Sequence, residues 1–285
     1  AAQGATTVRP AKAARFARAR LPSVTVVQNG REVEHRARLV VAADGKLSAA
    51  RRWTGGESRS DPEHHRIGGV LVAGAAIERT TVGAALQPGS AAAWFAAGPD
   101  LTRVYLAIDA PQSRSAGVDR SFTAFRAFVS ARMPTYALMQ AQQAGPLGFF
   151  PNSNTWATRI AGNGVALVGD AAGSADPTYG HGTSLLFRDV RILGELLCST
   201  ADWDAAVADF ADRRRKAFDV IRASDRWAAL CNEASEEAAR RRDGNERALQ
   251  QDPTLGGFAL LHTAGPDGLL ADETARRHYF GEDLS

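Results

Sequence analysis

The sequence predicts an α/β fold in which an open, parallel sheet is interrupted by an inserted antiparallel sheet and followed by C-terminal helices. Three observations predict it. Gly164 to Val168 is a short apolar run ending in Gly-Asp and then small residues, as a strand buried on both faces of a parallel sheet does. From Ile67 to Ile108, apolar or alternating runs of strand length follow one another across Gly, Pro and Asp breaks, the pattern of an antiparallel sheet. From Trp203 onward the apolar period becomes helical, through Val207, Phe210, Phe218 and Ile221. At 285 residues, 45% hydrophobic and 23% charged, the chain is long enough to bury the core of one large domain or two intimate ones.

Taken in order, the chain opens AAQGATTVRPAKAARF, which reads as the tail of a helix running into a strand. Val24 to Val27 and Arg31 to Ala42 flank Asn29-Gly30, a dipeptide suited to a type I′ hairpin, and the second strand is expected to run through RARLVVAADG. Asp44-Gly45 ends that strand, Ser48 can cap a short helix, and Arg51 follows one turn later. His64-His65 lies in a polar run read as a solvated linker. Within the antiparallel segment, Trp94, Phe95 and Tyr105 are aromatic residues of the kind that ordinarily fill a core.

Ser121 to Gln143 carries Phe122, Phe125, Phe128, Val129 and Met133 at helical spacing, with an interruption at Pro134. LGFFPNSNTWATRIAGNG then returns the chain to the first sheet, bringing Phe149, Phe150 and Trp156. The stretch GVALVGDAAGSADPTYGHGTSLLFRDVRILGELL, from Gly164 to Leu197, is the one around which the rest is organised. Gly169 and Asp170 sit at the carboxyl edge of the strand, where open α/β sheets bind ligands and a carboxylate can accept hydrogen bonds from sugar-like hydroxyls. Thr183 and Ser184 are placed to cap a helix carrying Leu185, Leu186, Val190, Leu193 and Leu197. Its free amides and positive dipole end favour an anion, or a ring that gains negative charge on reduction. Beyond it, Arg213, Arg214, Arg215 and Lys216 read as a solvated helix face, and Glu236 to Arg242 as a further charged helix ending at Asp243-Gly244. From Asp252 the chain reads as loop.

Two of these stretches carry a resemblance. The Gly164 to Leu197 segment, with GD, small residues, Pro177 and then Gly180-His181-Gly182 at a helix start, resembles the second flavin motif of the FAD-dependent monooxygenases of the para-hydroxybenzoate hydroxylase fold. DGKLSAAR, Asp44 to Arg51, resembles the DGxxSxxR signature of the same superfamily. The resemblance implies an FAD/NAD(P)-binding Rossmann-like domain with an inserted antiparallel substrate domain. Its boundaries would fall at 1–66 for a partial FAD-binding domain, 67–150 for the substrate-binding sheet, 151–200 for the FAD-binding return and 201–285 for the helical region. No GxGxxG is present, so the domain is expected to be N-terminally truncated, short by on the order of a hundred residues that would include the phosphate-binding βαβ unit.

By the same resemblance, Asp44, Gly45, Ser48 and Arg51 lie near FAD, Asp170 holds its ribityl chain with Gly169 and Ala171 beside it at the cofactor, Pro177 lies near the ring, and the amides of Gly180, His181, Gly182, Thr183 and Ser184 face its pyrimidine edge. Trp94, Phe149 and Phe150 are the substrate-pocket candidates, and no residue is assigned as catalytic. The implied reaction uses NAD(P)H and O2 to hydroxylate or epoxidise a small organic substrate through a flavin C4a-hydroperoxide. Two alternatives stay open: a flavin reductase of the geranylgeranyl reductase type, which often has a glycine after GDAA as Gly173 is here, and a truncated, non-catalytic chain with an incomplete FAD site. A flavin halogenase fits less well, because no two of Trp53, Trp94, Trp156, Trp203 and Trp227 stand two apart as its WxWxIP signature requires.

Composition bounds the partners. The net charge of +3 is mild and lysine is confined to Lys12, Lys46 and Lys216, which argues against a nucleic-acid surface. Cys198 and Cys231 lack metal-ligand spacing, so no metal is expected and a reducing cytoplasm is the expected compartment. No integral membrane segment is read, the partner is a small organic molecule, and a homodimer is admitted.

Overall fold

The computed structural model describes residues 4–75, 77–132, 136–251, 261 and 265–282. In chain order its elements are β1 (Lys12–Ala17), β2 (Ser23–Gln28), β3 (Arg31–Arg36), β4 (Val40–Ala42), β5 (Ser58–Ser60), β6 (His65–Ala73), β7 (Val82–Gln87), β8 (Ser90–Ala96), β9 (Leu101–Asp109), α1 (Ala110–Ala116), α2 (Phe122–Ser130), β10 (Gln142–Gln143), β11 (Gly148–Asn152), β12 (Thr155–Ala157), β13 (Ala161–Gly162), β14 (Val165–Leu167), β15 (Gly173–Ser174), α3 (Gly182–Ser199), α4 (Trp203–Asn232), α5 (Glu236–Gln251) and α6 (Glu273–Tyr279). They form two compact units, one of residues 1–60, 154–175 and 181–218, the other of residues 61–153, 176–180 and 219–285.

In the first unit, β14 pairs in parallel with β4 and antiparallel with β13. Val165, Ala166 and Leu167 are wholly buried, as the unbroken apolar run requires. One face of β14 packs with Ala42, Ala50, Ala157 and Ala171, and the other with Ile192 and Leu193 of α3 and Val207 and Phe210 of α4. Asn29 and Gly30 both have positive φ, 51° and 76°, between paired Gln28 and Arg31, which is the two-residue turn their identities favour.

The second unit is built on a six-stranded antiparallel sheet in the order β10-β6-β9-β8-β7, with β11 also on β6. Val70, Val104, Leu106 and Ile108 meet Phe125 and Val129 of α2 in its core.

Four expectations are corrected. The described residues ahead of β1 carry no helix, so the opening is not the tail of one. The strand expected from Arg31 to Ala42 is two, β3 and β4, in different sheets, because the chain must leave the hairpin to pair with β14. The helix expected from Ser121 to Gln143 ends at Ser130, and its far end is a short 3-10 turn at Tyr136–Gln140 followed by β10. Met133 and Pro134, on which its interruption was read, lie outside the described residues, as does most of the loop read from Asp252. Finally, α5 does not stop at Asp243-Gly244. Gly244 is inside the helix because a Cβ there would come within 2.1 Å of the Phe280 carbonyl oxygen, so the glycine permits a close crossing and is no terminator.

Candidate functional site

The two motifs end neighbouring parallel strands. Val40, Val41 and Ala42 of β4 stand opposite Val165, Ala166 and Leu167 of β14, and the Val168 amide donates to the Ala42 carbonyl at 3.0 Å. Asp44-Gly45 and Gly169-Asp170 therefore leave the same sheet edge side by side.

The first motif folds on itself. Asp44 accepts from the Ser48 hydroxyl at 2.5 Å and from the Ala50 amide at 3.2 Å, so the first amide of the short turn at Ala50–Arg52 is held by Asp44 and Ser48 does not cap it. Gly45 has φ +81°, with nothing within 4 Å of where a Cβ would stand. Arg51, 4% exposed, reaches into the second motif: Nε donates to the Ala171 carbonyl and Nη2 to the Asp170 carbonyl, both at 2.9 Å, while Nη1 holds the Ser58 hydroxyl at 2.6 Å. Burial pushes its pKa down, and the Asp44 and Asp170 carboxylates pull it back. One guanidinium thus fixes the backbone of one motif from within the other.

The second motif rests on two residues that the sequence reading placed elsewhere or did not single out. Gly169 is left-handed at φ +58°, and its amide donates to Asp189 of α3 at 2.8 Å. Arg214 of α4 donates to the same Asp189 oxygen at 2.8 Å and to the Gly173 carbonyl at 2.9 Å. Arg214 and Asp189 are 1% and 0% exposed, so Arg214 does not belong to a solvated face. Their helical phase would have revealed them: Arg214 lies four residues from both Phe210 and Phe218, and Asp189 four from Leu185.

Helix α3 begins at Gly182, directly after buried His181, whose carbonyl accepts from the Leu185 amide at 3.0 Å. Thr183 and Ser184 are exposed residues of the first turn and not its caps, since the helix starts one residue earlier than the hydroxyls required. Its leading amides carry no side-chain cap, and the position of a Cβ on Gly182 meets only an Asp170 carboxylate oxygen, 3.7 Å away. Ala171 is fully buried against the sheet. Pro177 and Gly180 fall in the second unit, where Asp176 caps their turn through the Thr178 amide at 2.8 Å and Gly180 closes it at φ +74°.

In the second unit Trp94 is buried in the core against Gly83, and Phe149 packs on Phe125 with ring centroids 6.1 Å apart, so both spend their apolar surface on packing. Phe150 is 67% exposed. A cavity of about 360 Å³ in this unit is lined instead by His65, Leu86, Ala91, Ala107, Tyr179 and Arg242, among others. His64 and His65 are not a solvated linker. His65 opens β6 and is buried, with Nε2 3.2 Å from Asp109, while His64 Nε2 lies 3.4 Å from Asp176. Asn152 and Thr178 complete the Asp176 group, none of which the sequence reading singled out. Among the described residues no group of three or more His, Cys, Asp or Glu side chains could hold a metal ion, and no helix is long and apolar enough to cross a membrane.

The FAD binding domain family matches residues 17–219, more than half of the chain. The chain belongs to that family. It is a family of FAD-dependent oxidoreductases, and the fold is of the para-hydroxybenzoate hydroxylase type. Two curated members of similar sequence are digeranylgeranylglycerophospholipid reductase 1 of Methanococcoides burtonii, 31% identical over 166 residues that cover 56% of this chain and 39% of that protein, and the 3-hydroxy-4-methyl-anthranilyl-(aryl-carrier protein) 5-monooxygenase of Streptosporangium sibiricum, 36% identical over 93 residues that cover 29% of this chain and 26% of that protein. The chain spans less than half the length of each. In structure it is similar to OxyS, the anhydrotetracycline hydroxylase of Streptomyces rimosus, with a TM-score of 0.63 and 18% identity over 98% of this chain and 54% of that one, a likeness of fold.

The residues present fit the family's cofactor. An uncapped helix start, an adjacent half-buried carboxylate and a glycine opening between them offer amide donors and a carboxylate acceptor side by side, which suits a ligand carrying both oxygens and hydroxyls.

Proposed function

We propose that this chain forms the flavin and substrate sites of an FAD-dependent monooxygenase that uses NAD(P)H and O2 to hydroxylate or epoxidise a small organic molecule. The observation that carries the flavin part is the Arg51 clamp, which ties the Asp44 turn to the backbone of Asp170 and Ala171 at one sheet edge. Asp170 and the leading amides of α3 would hold FAD, which when bound would supply the redox chemistry.

The chain's own groups bind and orient. Asp170 is the acceptor for ribityl hydroxyls, and its position is fixed because its own carbonyl is held by Arg51. The amides of Gly182, Thr183 and Ser184 stabilise negative charge on the ring through the helix dipole. Pro177 and Gly180 set the path of the connecting segment, anchored through Asp176. His181 serves here through its backbone carbonyl, in the first turn of α3.

A reductase is the second reading, favoured by the longer match to the digeranylgeranylglycerophospholipid enzyme. The monooxygenase reading is supported by the 36% identical match to the anthranilyl 5-monooxygenase and by the likeness of fold to OxyS.

Purified protein equilibrated with FAD and then desalted should keep a visible flavin band, and Asp170→Ala should lose it. Equal retention by both would remove Asp170 from the site, and a colourless wild type would favour the non-catalytic chain. For the flavin-loaded protein, NAD(P)H-dependent oxygen uptake stimulated by substrate separates the readings, because a reductase turns over its alkene without oxygen.

A further inference from the structure

The six-stranded sheet of the second unit ends on one side at β7. An open strand edge presents a row of unpaired amides and carbonyls, and folded proteins blunt it with charge, proline, a bulge or brevity. Among the described residues, every other edge strand carries one of these devices. β1 has Lys12, Arg15 and a register shift between Ala13 and Arg15. β3 is charged at Arg31, Glu32, Glu34 and Arg36, and β11 contains Pro151. β4, β5, β10, β13 and β15 are only two or three residues long. β7 has none of them: Val82–Gln87 holds no charge and no proline, and pairs with β8 in unbroken register.

That register fixes which backbone groups face out. Pro88-Gly89 joins β7 to β8 as a two-residue turn closed by the Gln87 and Ser90 pair. On the β9 side, the Gly89 carbonyl accepts from the Asp109 amide at 2.9 Å. Backbone direction alternates along a strand, so Ser90, Ala92 and Trp94 turn their groups toward β7 and bond Gln87, Ala85 and Gly83. The amides and carbonyls of Val82, Ala84 and Leu86 therefore point away from the sheet. Among the described residues, no backbone group outside the sheet bonds to them. Alternate residues also share a face, so the same three side chains form one ridge, with Val82 73% and Leu86 79% exposed.

This edge is complementary to itself about Ala84. We propose that β7 pairs antiparallel with β7 of a second copy of the chain, about a two-fold axis at Ala84, joining two sheets into one. Ala84 then meets the partner's Ala84, and Val82 meets the partner's Leu86, so that every outward amide and carbonyl finds a partner and the two apolar ridges lie side by side. Thr81 faces the partner's Gln87, and no charge meets a charge. Neighbouring registers fail. Centring on Ala85 sets Val82 opposite Pro88, which has no amide, and centring on Gly83 sets Leu86 opposite Thr80, beyond the strand. A strand from an unrelated protein would fit the edge without this symmetric spacing, which is why a second copy is the occupant assigned. The inference is independent of the flavin reading.

Sedimentation equilibrium of the purified protein should show a monomer passing to a dimer with a dissociation constant in the micromolar range, since one strand pair buries less than the roughly 1,200 Å² of a standard interface. Single-amide hydrogen exchange on the unsubstituted protein gives the signature. The Val82, Ala84 and Leu86 amides should slow as concentration rises, whereas those of Gly83 and Ala85 are slow throughout. Ala84 is exposed, so Ala84→Lys and Ala84→Glu keep the fold while setting like charges face to face, and each should weaken the dimer about fivefold. Their equimolar mixture should recover it. A monomer at every concentration, a dimer whose outward amides do not slow, a dimer indifferent to Ala84→Lys, or a mixture no tighter than its components would each overturn the proposal. So would a monomer whose outward amides are slowed only by an added extended peptide, which would give the edge to a different chain.

Discussion

Each unit fastens a turn with buried charge, and the two do it differently. In the first, Arg214 and Asp189 hold the Gly169 turn, joined at 2.8 Å and together bonded to its amide and to the Gly173 carbonyl. In the second, Asp176 holds the Pro177–Tyr179 turn through Thr178, with His64 and Asn152 as its partners. A guanidinium keeps its charge at every physiological pH, so the first turn is a fixed support. An imidazole loses its charge close to neutrality, so the second turn is held by a bond that pH can loosen. The rigid fastening is given to the turn that precedes Asp170, and the titratable one to the turn whose Thr178 and Tyr179 line the cavity.

The largest test of this contrast is Arg214→Leu. It leaves the Asp189 carboxylate buried with the Gly169 amide as its remaining partner at that turn, and should cost about 3–5 kcal/mol in chemical denaturation. A loss below about 1 kcal/mol would mean that water reaches Asp189 and that the support is not fixed. Next comes Arg51→Gln, which removes a charge-assisted clamp on two carbonyls and should destabilise by about 2–3 kcal/mol, with flavin retention lowered. Unchanged stability and unchanged flavin retention would mean that the clamp does not hold the second motif.

The smallest effect is the pH dependence of the second turn. His64 has a raised pKa, so its contribution is full below its ordinary value of 6.5 and is lost as pH rises through the raised value. Asp176 has a lowered pKa, so its contribution is present above the ordinary 3.8 and is lost as pH falls through the lowered value. His65 is lowered, chiefly by burial, and therefore disfavours folding as pH falls below 6.5, opposing His64. The groups acting on the pair are Asp61, Asp176 and Glu233, with Asp109 at the His65 ring. Asp176→Asn removes the His64 contribution and leaves that of His65, so the variant should lose more stability than the wild type between about pH 7 and pH 5 in a urea series. Parallel curves would show that the His64 bond does not fasten the turn.

Strand β14 was legible in the sequence because a strand buried on both faces is written as an uninterrupted apolar run, as Val165 to Leu167 is. The Asn29-Gly30 turn was legible because only residues tolerant of positive φ fit it. The supports were not. Arg214 sits in a run of four cations, and a local charge pattern does not say which member points inward. Its partner Asp189 is 25 residues away on another helix, so the pair exists only once α3 and α4 are packed. His64-His65 was misread for the same reason, since their partners Asp176 and Asp109 come from distant segments.

By itself, the sequence determined the hairpin and the alternation of parallel strand, antiparallel sheet and helix, since each of these is encoded by neighbouring residues through periodicity or backbone preference, while the family was legible only through the resemblance of two short motifs. Tertiary structure alone decided that Arg51 clamps the second motif, that Arg214 is buried, that Trp94 belongs to the core, and that Ala91, Ala107 and His65 share one sheet face around a cavity. These depend on register and on contacts between segments far apart in the chain, where the free energy of a side chain is set by what packs against it and not by the residues beside it.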